Sequence, residues 1–186
     1  MKLYVCCLTL LTLLSLPRNS YSTTMMEESP EAIIARAEYV VSASVIDITG
    51  RLEDNKPFEY ITLKLKEVHK QDASFPVYID DEITIKLLGG EVADKKLDVD
   101  GRPTFVKDEE VFVSLNLGDN GFFYVVGNVQ GLYHAAGSKL VNDTAETNAM
   151  FVRKGETGEM KFAVPASDQK TMKEMKAIIE KVAEEE

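Results

Sequence analysis

Phe58-Glu59-Tyr60-Ile61-Thr62-Leu63-Lys64-Leu65-Lys66-Glu67-Val68 decides the fold. Ile61, Leu63 and Leu65 fall on one side of an extended chain, and Tyr60, Thr62, Lys64 and Lys66 on the other. A period of two belongs to a strand with one face buried and one wet. The same pattern returns downstream, in Ile83, Ile85 and Leu87 against Thr84 and Lys86, and again in Val111, Val113, Leu115 and Leu117. Gly118-Asp119-Asn120-Gly121 then turns the chain into Phe122 to Val126, which reads as a hairpin. Val129 to Ala135 continues or re-bends that last strand through Gly127 and Gly131, interior glycines of the kind that mark bulges or barrel corners. Upstream, Tyr39 to Ile48 is rich in β-branched residues and ends at Gly50, giving a first strand followed by a polar turn over residues 50 to 57. The expected fold is mainly β, a small antiparallel barrel of five or six strands, because closure removes exposed strand edges.

Two helices flank this set. Ser29-Pro30-Glu31 supplies an N-cap, a proline in the first turn and a first-turn acid for a short helix to about Ala37. Pro165-Ala166-Ser167-Asp168 opens a second, in which Met172, Met175, Ile178, Ile179 and Val182 form an apolar stripe that packs on the outside or open end of the barrel. The chain thus divides into a flexible lead at 23–28, the barrel at 29–136, an irregular excursion at 137–165 with one further strand at Met160 to Val164, and an amphipathic helix at 166–186. Lys2, the apolar run Leu3 to Leu16 and Ser20-Tyr21-Ser22 read as a secretory signal over residues 1–22, cleaved after Ser22. An apolar run of that length reaches only about 21 Å as a helix, short of a bilayer core of about 30 Å. No membrane span is therefore expected after cleavage, and the protein is expected in the periplasm or outside the cell.

The 186 residues include 31 acidic and 21 basic side chains, a formal charge of −10, which becomes −12 for residues 23–186. Such an excess of acids argues against nucleic acid as a partner. Both cysteines, Cys6 and Cys7, lie in the expected leader, so thiol nucleophiles, thiolate metal sites and disulfides are not expected in the remainder.

Several short segments occur in an order that resembles a known group. Ala35-Arg36-Ala37-Glu38-Tyr39-Val40-Val41 leads into the first strand, and Leu87-Leu88-Gly89-Gly90 follows the third. Gly101-Arg102-Pro103-Thr104-Phe105 precedes a charged turn, and Tyr124-Val125-Val126-Gly127-Asn128-Val129-Gln130-Gly131 closes the set. Over residues 31 to 136 this resembles uncharacterised exported bacterial proteins whose domain is similar to the oligonucleotide/oligosaccharide-binding (OB) type barrel of tissue inhibitors of metalloproteinases and netrin-like modules. The resemblance implies an OB-like barrel. The inhibitors present an amino-terminal cysteine to the protease zinc, and this chain departs from them because no cysteine follows Ser22.

Catalytic patterns are missing. His69 and His134 are the only histidines, and there is no His-Glu-x-x-His run, no Gly-x-Ser-x-Gly elbow and no phosphate loop. His69, beside Lys66 and Lys70, reads as a solvated surface residue, while His134 ends the last strand next to Tyr133. Asp98-Val99-Asp100-Gly101 mimics half of a calcium loop, but Lys96 and Lys107 fall at positions one and twelve, where oxygen ligands are required. Asp80 and Asp81 could still meet Asp98 and Asp100 in space around a cation. Asn142-Asp143-Thr144 has the form of a glycan acceptor in a source that adds N-glycans. No catalytic residue, metal ligand or cofactor site is assigned. The candidate partner-binding residues are Phe75 and Tyr78, on the segment between the second and third strands, with Phe105 and Tyr133. Phe75 and Tyr78 could instead tuck under their loop and cap the barrel, the commoner outcome. The leading expectation is a non-catalytic binding or envelope-accessory module with a protein or envelope component as partner. The alternatives are an inhibitor-like module acting through Thr23 and a hydrolase with a site assembled by the fold.

Overall fold

A computed structural model describes residues 23–155, 157–164 and 167–185. The expected leader at 1–22 and the Pro165-Ala166 helix start lie outside the described residues. The elements run β1 (Thr24–Met26), α1 (Pro30–Arg36), β2 (Tyr39–Glu53), β3 (Lys56–Lys70), β4 (Glu82–Leu88), β5 (Gly90–Val92), β6 (Lys95–Leu97), β7 (Glu110–Leu117), β8 (Phe123–Val125), β9 (Leu132–Ala136), β10 (Lys139–Val141), β11 (Met150–Lys154), β12 (Met160–Ala163), β13 (Gln169–Thr171) and α2 (Met172–Glu185). Short 3₁₀ turns occupy Asn128–Gly131 and Thr144–Glu146. The protein is mainly β, with one of its two described α-helices at the C-terminal end.

The alternating segment lies in the interior of the main sheet, between β2 and β4; the order is β13-β10-β9-β7-β2-β3-β4-β8, with β8 also pairing with β7. That second pairing makes β7, β2, β3, β4 and β8 a ring. Its closing link is thin: β8 meets β4 through the single pair Ile85–Phe123, against three pairs with β7. β8 and β9 share one edge of β7, the chain leaving that edge after Val125 and rejoining it at Leu132. Between them the expected bulge is instead a 3₁₀ turn. Gly131 permits it, because a Cβ there would lie 1.9 Å from the Val126 carbonyl oxygen.

The two long strands continue past the expected limits. β2 runs to Glu53, and the turn shrinks to Asp54 and Asn55, both at positive φ (47° and 63°). Two successive left-handed residues make the mirror-image turn whose twist suits a two-residue hairpin. Inside the ring, Tyr39, Val41, Ala43, Val45, Ile61, Leu63, Leu65, Ile85, Val113 and Leu115 form the principal core. Outside it, Val40, Phe112 and Tyr133 are covered by Ile33 and Ile34 of α1 and by Met175 and Val182 of α2. Met172, Ile178 and Ile179 pack at the edge of this second core, so the expected apolar stripe does lie on the sheet.

The outer segments differ from expectation. Residues 24–26, expected to be flexible, form β1 in parallel pairing with β11. The stretch 137–165 is more ordered than an irregular excursion: β10 extends the main sheet, and β11 and β12 complete a three-stranded sheet with β1. The final helix begins at Met172 rather than 166. Residues 169–171 pair with β10, and Thr171 and Glu174 form the reciprocal cap, Glu174 N donating to Thr171 Oγ1 (3.2 Å) and Thr171 N to Glu174 Oε2 (2.6 Å).

Candidate functional site

The loop between β3 and β4, residues 71–81, projects from one end of the ring. Its base is fixed by Leu65 N donating to Asp81 O (3.0 Å) and Asp80 N donating to Leu65 O (2.9 Å). Its own side chains satisfy its backbone: Ser74 N donates to Asp72 Oδ1 (2.7 Å), Val77 N to Gln71 Oε1 (3.0 Å) and Tyr78 N to Asp81 Oδ2 (2.8 Å). Short polar side chains bonding to nearby amides are the usual means of holding a turn without secondary structure. From the core, the Tyr39 hydroxyl donates to Phe75 O (2.9 Å). Burial, aided by Asp72 and Glu38, raises the Tyr39 phenol above its ordinary range and keeps it a donor. Val77 packs on the principal core. The loop is therefore anchored at its base, middle and one apolar side chain.

What it presents outward is apolar. Phe75 is 66% exposed, Tyr78 63% and Ile79 61%. Val68, Gln71, Val77, Tyr78 and Ile79 line a shallow groove of about 460 Å³ beside them. Of the four residues expected to bind a partner, the fold leaves only Phe75 and Tyr78 exposed, both on the 71–81 loop, and neither tucks under it. Phe105 is a principal-core residue. Tyr133 belongs to the second core, its hydroxyl donating to Asp168 Oδ2 (3.0 Å), and neither is available as a surface contact. Sequence reasoning missed Ile79, whose signal was its place beside Tyr78 ahead of three consecutive acids, Asp80, Asp81 and Glu82.

The histidines lie in separate surroundings. His69 is not solvated: its side chain is 7% exposed beneath α2, 5.3 Å from the Phe112 ring, and its Nε2 is hydrogen-bonded to Ser42 Oγ at 2.8 Å. Burial lowers its pKa, with Glu67 opposing and Lys176 assisting. A Ser–His pair becomes a nucleophile when a carboxylate orients the other ring nitrogen. Here Glu67 approaches the same Nε2, at 3.5 Å, so that arrangement is not formed. His134 bridges two carboxylates, Nδ1 to Glu109 Oε2 and Nε2 to Asp143 Oδ2, each at 2.9 Å. Asp143 borders an open cavity of about 560 Å³ with Asp98, Asp100, Arg102 and Glu146. Asp80 and Asp81 remain at the foot of the 71–81 loop, Asp80 paired with Lys64 at 3.1 Å and Asp81 bonded to Tyr78 N. Among the described residues no group of three or more His, Cys, Asp or Glu side chains is placed to hold a metal ion.

Asn142 is not placed as a glycan acceptor. It is buried, and its Nδ2 donates to the carbonyls of Val129 (2.8 Å), Gln130 (3.2 Å) and Leu132 (2.8 Å), while its Oδ1 accepts from Thr144 N (2.9 Å). Thr23, proposed above as an inhibitor's contact, accepts a hydrogen bond from Met150 N (2.8 Å) and leads directly into β1. No helix among the described residues is long and apolar enough to cross a membrane. No family model, curated protein or solved structure matches the chain.

Proposed function

We propose that the protein is an exported, non-catalytic binding module in which an OB-like barrel holds the 71–81 loop toward a protein partner or envelope component. The observation that carries this reading is the loop itself: three neighbouring apolar side chains, each more than half exposed, stand on a segment whose backbone is already tied down. An apolar cluster in water is costly to keep unless something covers it, and a preformed loop loses little conformational entropy on binding. The ring of pairings around the principal core supports the barrel, and the apolar run at residues 3–16 supports export. The formal charge of −10 favours a partner with a neutral or basic face over nucleic acid.

Affinity capture from the producing organism after cross-linking tests this directly. The wild-type chain is expected to retain a specific partner that Phe75→Ala with Tyr78→Ala loses. Recovery of the same partner by both proteins would remove the loop from the account.

A further inference from the structure

The three-stranded sheet of β1, β11 and β12 has one face in a small core, where Met25, Phe151 and Ala163 pack with Val129 and Ala149. Its other face is apolar and wet. Register places Met26, Val152 and Phe162 in one row across that face, with Met160 opposite Lys154 in the next. Met160 is 55% exposed, Phe162 77% and Val164, just beyond β12, 90%.

The backbone phase of β12 adds a second feature. Met150 N donates to Thr23 O and Val152 O accepts from Glu27 N, so residues 150 and 152 turn their peptide groups toward β1. Residues 151 and 153 therefore face β12, and Gly155 N donating to Glu159 O continues that phase. Their partners 159, 161 and 163 face inward. Met160, Phe162 and Val164 consequently direct their N–H and C=O groups away from β11, where among the described residues no strand pairs with them. An edge with free backbone groups and neither charge nor proline at its outward positions is a template for strand addition.

We infer that this edge pairs with the same edge of a second copy of the chain, antiparallel about a two-fold axis at Phe162. That register sets Phe162 opposite itself and Met160 opposite Val164 of the second copy, so every outward peptide group meets another and the apolar rows of the two copies join. It also sets Lys161 opposite Ala163. Moving the axis by one residue would put Lys161 against Lys161, and like charges directly opposite are destabilising. A second copy supplies what the edge needs in one register: an apolar row continuous with Met160, Phe162 and Val164 and no like charges directly opposite. The surface is separate from the 71–81 loop and does not depend on its role.

Sedimentation of the full chain at about 100 μM, where a dimer with Kd of about 10 μM is mostly assembled, should give a dimer. Phe162→Lys, at an exposed position, should raise the dissociation constant at least about tenfold, whereas Phe75→Ala with Tyr78→Ala should leave it unchanged. With Cys6 and Cys7 replaced by Ser, Phe162→Cys should form an intermolecular disulfide on oxidation, since directly opposed residues in a hydrogen-bonded pair have Cα atoms about 5.5 Å apart. Phe75→Cys in the same background should not. A monomeric wild-type chain, or a dimer indifferent to Phe162→Lys, would overturn the inference.

Discussion

His69 and Asn142 carry consequences that neither declares in the sequence. Each is surrounded by residues distant along the chain or by backbone carbonyls, so local pattern gives no sign of its burial. His69 is covered by α2, more than 100 residues later, and burial favours its neutral form. The unfolded chain takes up a proton near the ordinary histidine value of 6.5 before the folded chain does. Stability should therefore be flat above that pH, fall as pH drops through it, and level only once the buried imidazole itself protonates. Glu67, held below its ordinary value by the hydrogen bond from Lys176, loses its contribution in a more acidic window, around and below 4.5. Urea denaturation of wild type and His69→Gln between pH 8 and 5.5 should show the variant with the shallower decline; equal slopes would mean that the imidazole is not desolvated. Asn142 serves three carbonyls and one amide. Asn142→Leu should destabilise by about 3 kcal/mol or more in the same assay, since several buried backbone groups lose their partner. A loss below about 1 kcal/mol would show that water replaces the amide.

At the level of elements, legibility followed burial. Ile61, Leu63 and Leu65 were readable because one face of β3 is packed while Lys64 and Lys66 opposite are exposed; Tyr60, expected on the wet face, is instead buried beneath Phe122 and Arg51. The end of β2 was not, because Asp47, Thr49, Gly50 and Arg51 are all exposed and leave no alternation to detect. Asp54-Asn55 was a usable hairpin signal that the polar composition of residues 50–57 concealed. Since Asn55 sits at φ 63°, Asn55→Gly should hold or raise stability, and Asn55→Val should lower it by about 1 kcal/mol or more, read from thermal or urea midpoints. Equal midpoints for all three would argue for a different turn. β1 and β11 pair in parallel across some 126 residues, a contact that no local pattern announces. The helix stripe was legible but its start was not, because the capping pair Thr171 and Glu174 lies beyond the Pro165-Ala166-Ser167-Asp168 signal.

For the whole molecule, the four aromatic residues singled out in the sequence divide according to where the fold carries them: Phe75, Tyr78 and Phe105 lie on loops and only Tyr133 on a strand, so alternation gives no sign of which are buried. Phe105 and Tyr133 serve two different cores, while Phe75 and Tyr78 remain outside both. Removing an exposed side chain normally changes stability by no more than about 0.5 kcal/mol. The central claim separates the loop's cost from its use: the scaffold does not need Phe75 and Tyr78, and binding does. A photo-activatable residue at Tyr78 tests this most directly, introduced in the producing organism alongside the same residue at exposed Leu52 as a control. The account predicts one discrete covalent adduct from position 78, absent from position 52. Identical adduct patterns from both positions, or none from position 78 in a correctly folded chain, would contradict it.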